Sequence, residues 1–535
     1  MNHGIEIFRR FMAGVVLLLL FIGGCAVGPD YIKPTVTEPK QWIEEDPKIK
    51  SETADISQWW KVFNDPVLDE LIDMAYKQNL PLRITGIRVL EARAQLGIAV
   101  GNLYPQQQSG RGGLTYTSLS ENTANTTPTA DFGYSQLDLG FDATWELDFW
   151  GKFRRAVQSG LASLDVSIAN YDGVLVTLTA EVARVYVLIR TIEERLVIAR
   201  NNVKIQERSL RIATARFKGG DVTELDVAQA RSLLADTRAT IPGLEAQLRQ
   251  AKNSLAILLG TLPGQLAHML REPKPIPRIP LEVAVGIPAE QLRRRPDIRL
   301  AERQMAAQSA IIGVAKADLY PHFTLFGSIG LRSSDAALTA FGFPGGSSLG
   351  DLWDSDSIEF FGGPGFSWNI LNYGRIRNRV RVQDARFQQL VVNYQNAVLG
   401  AAQEVEDAMV AFLRSQEQVG FLSESVDAAT RSVQLSTIQY REGMVDFQRV
   451  LDTQRFQTQE QDLHTATRGS VALNLIAIYK ALGGGWQIRE GKDFVPEETK
   501  EEMRQRTNWG DLLSPEKLKT GPAEQAGGSW QSPDW

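Results

Sequence analysis

The stretch Leu137-Asp138-Leu139-Gly140-Phe141-Asp142-Ala143-Thr144-Trp145-Glu146-Leu147-Asp148-Phe149 alternates without a break between apolar odd positions and polar or small even ones. Neighbouring side chains of a strand point to opposite faces, so the pattern predicts a strand with one apolar and one acidic face. In a transmembrane barrel, strands of roughly 9–11 residues turn such an apolar face to lipid and the polar face to water. Asp138, Asp142, Glu146 and Asp148 are then expected to make an acidic lumen, which favours cations over anions.

The stretch has a second copy. Phe141 to Lys152 realigns 223 residues later with Pro364 to Arg375, matching Trp145 to Trp368 and Gly151 to Gly374. The parity recurs at Phe366, Trp368 and Ile370. Phe323, Leu325, Ile329 and Leu331 alternate as a partner strand before it. The counterpart near Gly110 to Tyr116 is weaker, and alignment through the two Leu-Tyr-Pro triplets at 103–105 and 319–321 gives its apolar residues the wrong parity. Polar loops at 118–133 and 332–357 separate the strands of each pair.

Outward from the strands the period changes. Leu161, Leu164, Ile168, Tyr171, Leu175, Leu178, Val182, Val185, Ile189, Ile192 and Leu196 follow steps of three and four. Phe387, Val391, Tyr394, Val398, Ala401, Val405, Ala408 and Phe412 do the same in the second copy. This spacing keeps one stripe on one helix face, and a sustained 3.5-residue period implies left-handed coiled-coil packing. A helix from Gly151 to about Phe217 would be about 100 Å long at 1.5 Å per residue. Each rod ends at a breaker, Gly219-Gly220 or Glu442-Gly443, and a second helix returns through about Gly260 or Leu482. The predicted fold is mainly α, with two long antiparallel coiled-coil hairpins plus four strands per chain.

Four strands force an assembly if they cross a membrane. Unpaired edge groups in hydrocarbon would cost several kcal/mol each, and a small closed barrel needs roughly eight strands. Two, three or four chains satisfy that arithmetic.

The ends of the chain say where this happens. Arg9 and Arg10, an apolar run from Phe11 to Ile22 and then Gly23-Gly24-Cys25 have the layout of an export signal, with residues 1–24 removed. Cys25 is the only cysteine, so no disulfide forms within the chain. The net charge of -6, without a basic cluster, gives no footprint for nucleic acid. There is no P-loop, no Gly-x-Ser-x-Gly elbow and no His-Glu-x-x-His, and His268, His322 and His464 lie far apart in sequence. An enzyme is not expected, and neither is a cofactor or metal. A periplasmic coiled-coil scaffold remains a competing reading of the helices taken alone.

Ile22-Gly23-Gly24-Cys25 resembles the bacterial lipobox, which implies acylation of Cys25. Ala26 in the next position implies sorting to the outer membrane. From Cys25 to Trp486 the chain resembles the outer membrane factor family, the TolC-type channels, and within it the lipoprotein branch serving efflux. The resemblance rests on Cys25 to Tyr31, Trp59-Trp60 with Phe63 and Asp65, Asn102 to Pro105, Arg294 to Arg299 with Ala301 and Glu302, Val314 to Ala317, and Tyr479 to Trp486. It implies a homotrimer with a twelve-stranded barrel in outer-membrane lipid and a helical tunnel across the periplasm. It also implies a periplasmic adaptor (membrane fusion) protein and an inner-membrane pump as partners. The adaptor would dock on the hairpin tips at Lys218, Gly219, Gly220 and Asp221 and at Arg441, Glu442, Gly443, Met444 and Val445. A periplasmic gate is implied at Gln448, Asp452 and Arg455. Related efflux channels often carry Leu where Gln448 stands, so a polar ring is expected here. Converging carboxylates at Asp452 would repel, making closure sensitive to charge. The implied function is the passive exit duct of a tripartite efflux system for drugs or other small toxic molecules, with a type I protein secretion duct as the alternative.

The expected organisation is a lipidated segment 25–65, a first repeat 66–282, a second repeat 283–486 and a periplasmic tail 487–535. Arg294 to Arg299 reads as a structural helix start, with Pro296 in the first turn and Asp297 near the positive end of the dipole. The tail, without sustained periodicity, is compatible with disorder or with packing against the periplasmic belt.

Overall fold

The computed structural model describes residues 26–514 apart from 36–40, 45, 51, 53–54, 121, 123–131, 268, 287, 336, 339–344 and 347. Cys25, the export signal, His268 and residues 515–535 therefore lie outside the described residues.

Helices α1 (Pro66–Gln78) and α2 (Leu80–Gly101) lead into strands β1 (Gln107–Ser118) and β2 (Gly133–Leu147), then helices α3 (Lys152–Lys218) and α4 (Glu224–Leu258). A short helix Pro288–Arg294 and α5 (Pro296–Ala317) lead into β3 (His322–Ser334) and β4 (Ile358–Ser367), then α6 (Arg375–Arg441) and α7 (Phe447–Ala481). Helices α3 and α6 both have 67 residues, α4 and α7 both have 35, and each pair is offset by the 223 residues read in the sequence. The long helices open alike. Gly151 and Gly374 hold φ of 75° and 79° at the N-caps, left-handed backbone that glycine adopts without strain.

The strands form one antiparallel sheet in the order β1-β2-β3-β4. Its register aligns Leu114 with Leu137, Phe141 with Ile329 and Ile329 with Phe360, so all four strands share one apolar face. That face is uncovered in the single chain, with Phe141 70% and Phe360 81% exposed. Among the described residues nothing pairs with the outer edges of β1 and β4.

The register also resolves the parity of the first strand. Gln107 pairs with Thr144 as His322 pairs with Ser367, so the first copy holds one residue more between Leu-Tyr-Pro and its strand. The extra residue is Gln106. Its side chain accepts from Glu146 N at 2.7 Å and donates to Glu146 O at 3.2 Å, standing in for the peptide that Pro105 cannot supply as donor. Two tryptophans at the same end of the sheet repeat one contact: Trp145 Nε1 donates to Leu103 O and Trp368 Nε1 to Leu319 O.

Two strand limits differ from the sequence expectation. β2 ends at Leu147, and the Asp148 carboxylate turns to the first turn of α3, accepting from Phe153 N, Arg154 N and Arg154 Nε at 2.9–3.1 Å. Free helix N-terminal amides attract that carboxylate more strongly than continued alternation holds it on a strand. Asp148 thus leaves the lumen set. β4 ends at Ser367, so Trp368 and Ile370 also lie beyond their strand.

The main core gathers around α3. Leu175, Val182, Tyr186 and Ile189 are fully buried, each worth about 1.5–3 kcal/mol for a Leu-sized side chain. Trp59 stacks on Tyr479 at 5.4 Å, joining the N-terminal segment to the end of α7. The Arg294–Arg299 segment proves to be a structural junction. α5 starts at Pro296, buried Arg295 donates to Ala481 O and pairs with Asp297 and Glu404, and Arg299 and Arg489 share fully buried Asp172. The tail through 514 packs. Phe494, Val495, Met503 and Leu513 enter the core, and Lys500, on helix α8 (Glu497–Arg506), is fully buried between Asp493 and Glu497.

Candidate functional site: hairpin tips and sheet face

Both hairpins turn by the same device. Lys218 ends α3, Gly219 follows in helical conformation and Gly220 has φ of 82°. Asp221 N donates to Arg216 O and Gly220 N to Phe217 O, and in the second copy Met444 N donates to Gln439 O and Gly443 N to Tyr440 O. These paired bonds close a helix end whose carbonyls have no partner further along the helix, and the left-handed residue is Gly220 or Gly443. Arg441 ends α6 and pairs with Glu442 at 3.1 Å, Met444 is exposed, and Val445 packs against the tip core.

The two tips are joined to each other, through residues that the sequence reading had not singled out. The Tyr440 hydroxyl donates to Asp226 at 3.0 Å, the Arg216 guanidinium lies 4.7 Å from the Tyr440 ring centre, and Arg216 also donates to Tyr440 O. Burial, helped by the Asp226 carboxylate, pushes the Tyr440 phenol above its ordinary range. A lone tyrosine at the end of a long helix was the available signal.

Gln448, Asp452 and Arg455 form one exposed stripe on α7. Gln448 Nε2 donates to Asp452 Oδ1 at 2.9 Å, and Gln448 Oε1 accepts from Gln229 of the first hairpin at 3.1 Å. Asp452 is thus held by Gln448. Arg455 borders a groove of about 530 Å³ with Arg195, Asp236 and Asp462.

On the polar sheet face, acid is matched in part by base. Arg111 lies 3.5 Å from Asp142 and 3.4 Å from Glu359, and Arg332 lies 3.0 Å from Glu359. Glu146 meets His322 at 2.7 Å and Lys152 at 3.9 Å, while Asp138 stands opposite Gly113 and Arg332. Among the described residues there is no cluster of metal-ligating side chains and no helix long and apolar enough to cross a membrane.

Paired hairpins on a four-stranded sheet match a known architecture. The family model described as outer membrane efflux protein covers residues 71–261 and 287–484. The chain belongs to the outer membrane efflux protein family. It is 32% identical over 470 residues to the pyoverdine export outer membrane protein OpmQ of Pseudomonas aeruginosa, covering 88% of this chain and 95% of OpmQ. It is 31% identical over 486 residues to the toluene efflux pump outer membrane protein TtgF of Pseudomonas putida, covering 88% and 96%. Among solved structures, the outer-membrane channel OprN superposes with a TM-score of 0.80 at 31% identity, covering 86% of this chain and all of OprN. This efflux protein is therefore an outer-membrane channel, mainly helical with a small sheet.

Proposed function

We propose that this efflux protein is the passive exit duct of a tripartite efflux system, a homotrimer whose twelve strands close one barrel in the outer membrane. The observation that carries the reading is the four-stranded sheet with a bare apolar face and two open edges. The bare face suits lipid rather than water, and the open edges, which lipid does not tolerate in one chain alone, are all closed when three copies share one barrel. A periplasmic scaffold would have no use for such a sheet. A second apolar stripe supports the trimer. Val392, Leu399, Val410, Phe421 and Leu435 are exposed on α6, opposite the face that carries Val398, Val405 and Phe412 into the core.

Cys25 carries the lipid anchor. Its neighbour Ala26 packs against Gly151, and Val27 N donates to Trp150 O, so the anchor enters at the junction of sheet and tunnel. The adaptor docks on the two tips, and the inner-membrane pump supplies the energy, since this chain has no catalytic role. Drugs and other small toxic molecules are the cargo, in keeping with the toluene and pyoverdine named for TtgF and OpmQ. Asp138, Asp142 and Glu146 line the lumen, and Arg111 and Arg332 temper its acidity. Gln448, Asp452 and Arg455 narrow the periplasmic entrance.

The test is mass and conductance. The protein is expected to be trimeric in detergent and to form pores in bilayers, with Asp452→Ala/Arg455→Ala raising the conductance. A monomer without pores refutes the duct, and unchanged conductance in the double variant moves the gate elsewhere.

A further inference from the structure

Two side chains break the polar face of the sheet. Phe326 on β3 pairs with Gly363, and Phe361 on β4 pairs with Ser328, which puts both rings on the side of Arg111 and Asp142 and opposite to Leu325, Ile329 and Phe360. Every other position of that face on the four strands is polar, charged or glycine. The two rings lean together, with 6.4 Å between their centres and a tilt of 54°, yet they stay 42% and 59% exposed. Gly365 leaves them room, since a Cβ there would stand 3.3 Å from the Phe326 ring.

The two repeats differ at these same places. Their registers superpose Phe326 on Arg111, each opposite a glycine, and Phe361 on Asp138. The first copy thus carries charge where the second carries rings. Arg111 brings the two together. It begins a row of directly paired residues, Arg111, Gly140, Gly330 and Glu359, that crosses all four strands. No side chain stands on the two glycines, and the guanidinium reaches across to donate to Ser328 Oγ at 3.1 Å and to lie 3.4 Å from Glu359. Ser328 is the residue paired with Phe361, so the charged row ends beside the rings. On this face of the strands the carboxylates of Asp138, Asp142, Glu146 and Glu359 outnumber the guanidiniums of Arg111 and Arg332.

Apolar area held in water is unfavourable, and the face of an aromatic ring attracts cations. A flat aromatic cation answers both conditions: its ring system covers Phe326 and Phe361, and its charge meets the surplus of carboxylates. We propose that the Phe326–Phe361 pair is a binding subsite on the wall of the duct for aromatic cations, one in each chain, where such cargo rests on its way out. The inference rests on the duct reading above and adds the class of molecule that the wall retains.

Ethidium is the probe, and tetraethylammonium, with the same charge and no aromatic ring, is its control. Block of the single-channel KCl current is measured in the Asp452→Ala/Arg455→Ala background, which removes the entrance ring as a rival cation site. The KCl current itself shows that each variant has assembled. Phe326→Ser/Phe361→Ser is expected to weaken ethidium block about tenfold and to leave tetraethylammonium block as it was. Phe326→Tyr/Phe361→Tyr keeps both rings and is expected to keep the block. Phe361→Ser alone, at the more exposed ring, is expected to lose part of it and gives the same reading if the double variant does not assemble. Equal ethidium block with and without the rings overturns the subsite, and so does an equal loss for tetraethylammonium. Block by the anionic aromatic anilinonaphthalene sulfonate as strong as that by ethidium overturns the assignment to cations. Silence of the unsubstituted channel would instead refute the duct reading beneath it.

Discussion

Helices α3 and α6 have the same length and the same place in their repeats, yet α3 buries 29 residues and α6 only 14. The first lies in the middle of its chain, contacted by α2, α4, α5 and α7. The second forms a skin, apolar on both sides and covered on one. Duplication thus yields two equal rods of unequal role, one enclosed within the chain and one whose outer face the chain itself leaves bare. Even the tips follow the division. Phe217, the counterpart of Tyr440, is 42% exposed, whereas Tyr440 is 2% exposed with its hydroxyl bound.

The sharpest way to break this comparison is a matched pair of truncations. Leu175→Ala in α3 is expected to cost about 2–5 kcal/mol in denaturant unfolding, because the site is fully enclosed. Leu399→Ala in α6 is expected to change protomer unfolding by less than about 0.5 kcal/mol while weakening the proposed trimer in dilute detergent. Equal effects of the two truncations would show that the helices are not divided in this way. Tyr440→Phe comes next, with an expected loss of about 0.5–1.5 kcal/mol and faster amide exchange confined to the tips. The smallest effect is a pH response at His464 of the second hairpin. Burial, reinforced by Arg468, holds His464 below the ordinary imidazole pKa, and its counterpart in the first hairpin is Ile241. The folded chain then binds fewer protons than the unfolded one as pH falls through about 6.5. Stability is therefore full above that pH and declines below it, and His464→Asn should flatten the slope of Tm between about pH 7.5 and 5.5.

The rods and three of the strands were legible because their periods are long and their breakers are glycines. The stripe on α3 was legible down to Leu196. What escaped depended on partners distant in sequence. Asp148 continues the alternation perfectly, but the nearby α3 amides draw it away. Trp368 and Ile370 keep strand parity after the strand has ended. The joining of Tyr440 to Asp226 spans 214 residues, and no local period encodes it. Gln448 and Asp452 were reached through the family resemblance rather than through any local period, and the bond from Gln229 was not legible in the sequence.

Gln106 has a consequence for how such a chain can change. A one-residue slip would send every side chain of β1 to the wrong side of the wall. Here the surplus is taken up by a single amide that imitates a peptide, so the spelling between motif and strand tolerates a length error. An alignment of the two halves through Leu-Tyr-Pro alone therefore inverts the two faces of the sheet along all of β1, whereas one that spends a residue at Gln106 keeps them.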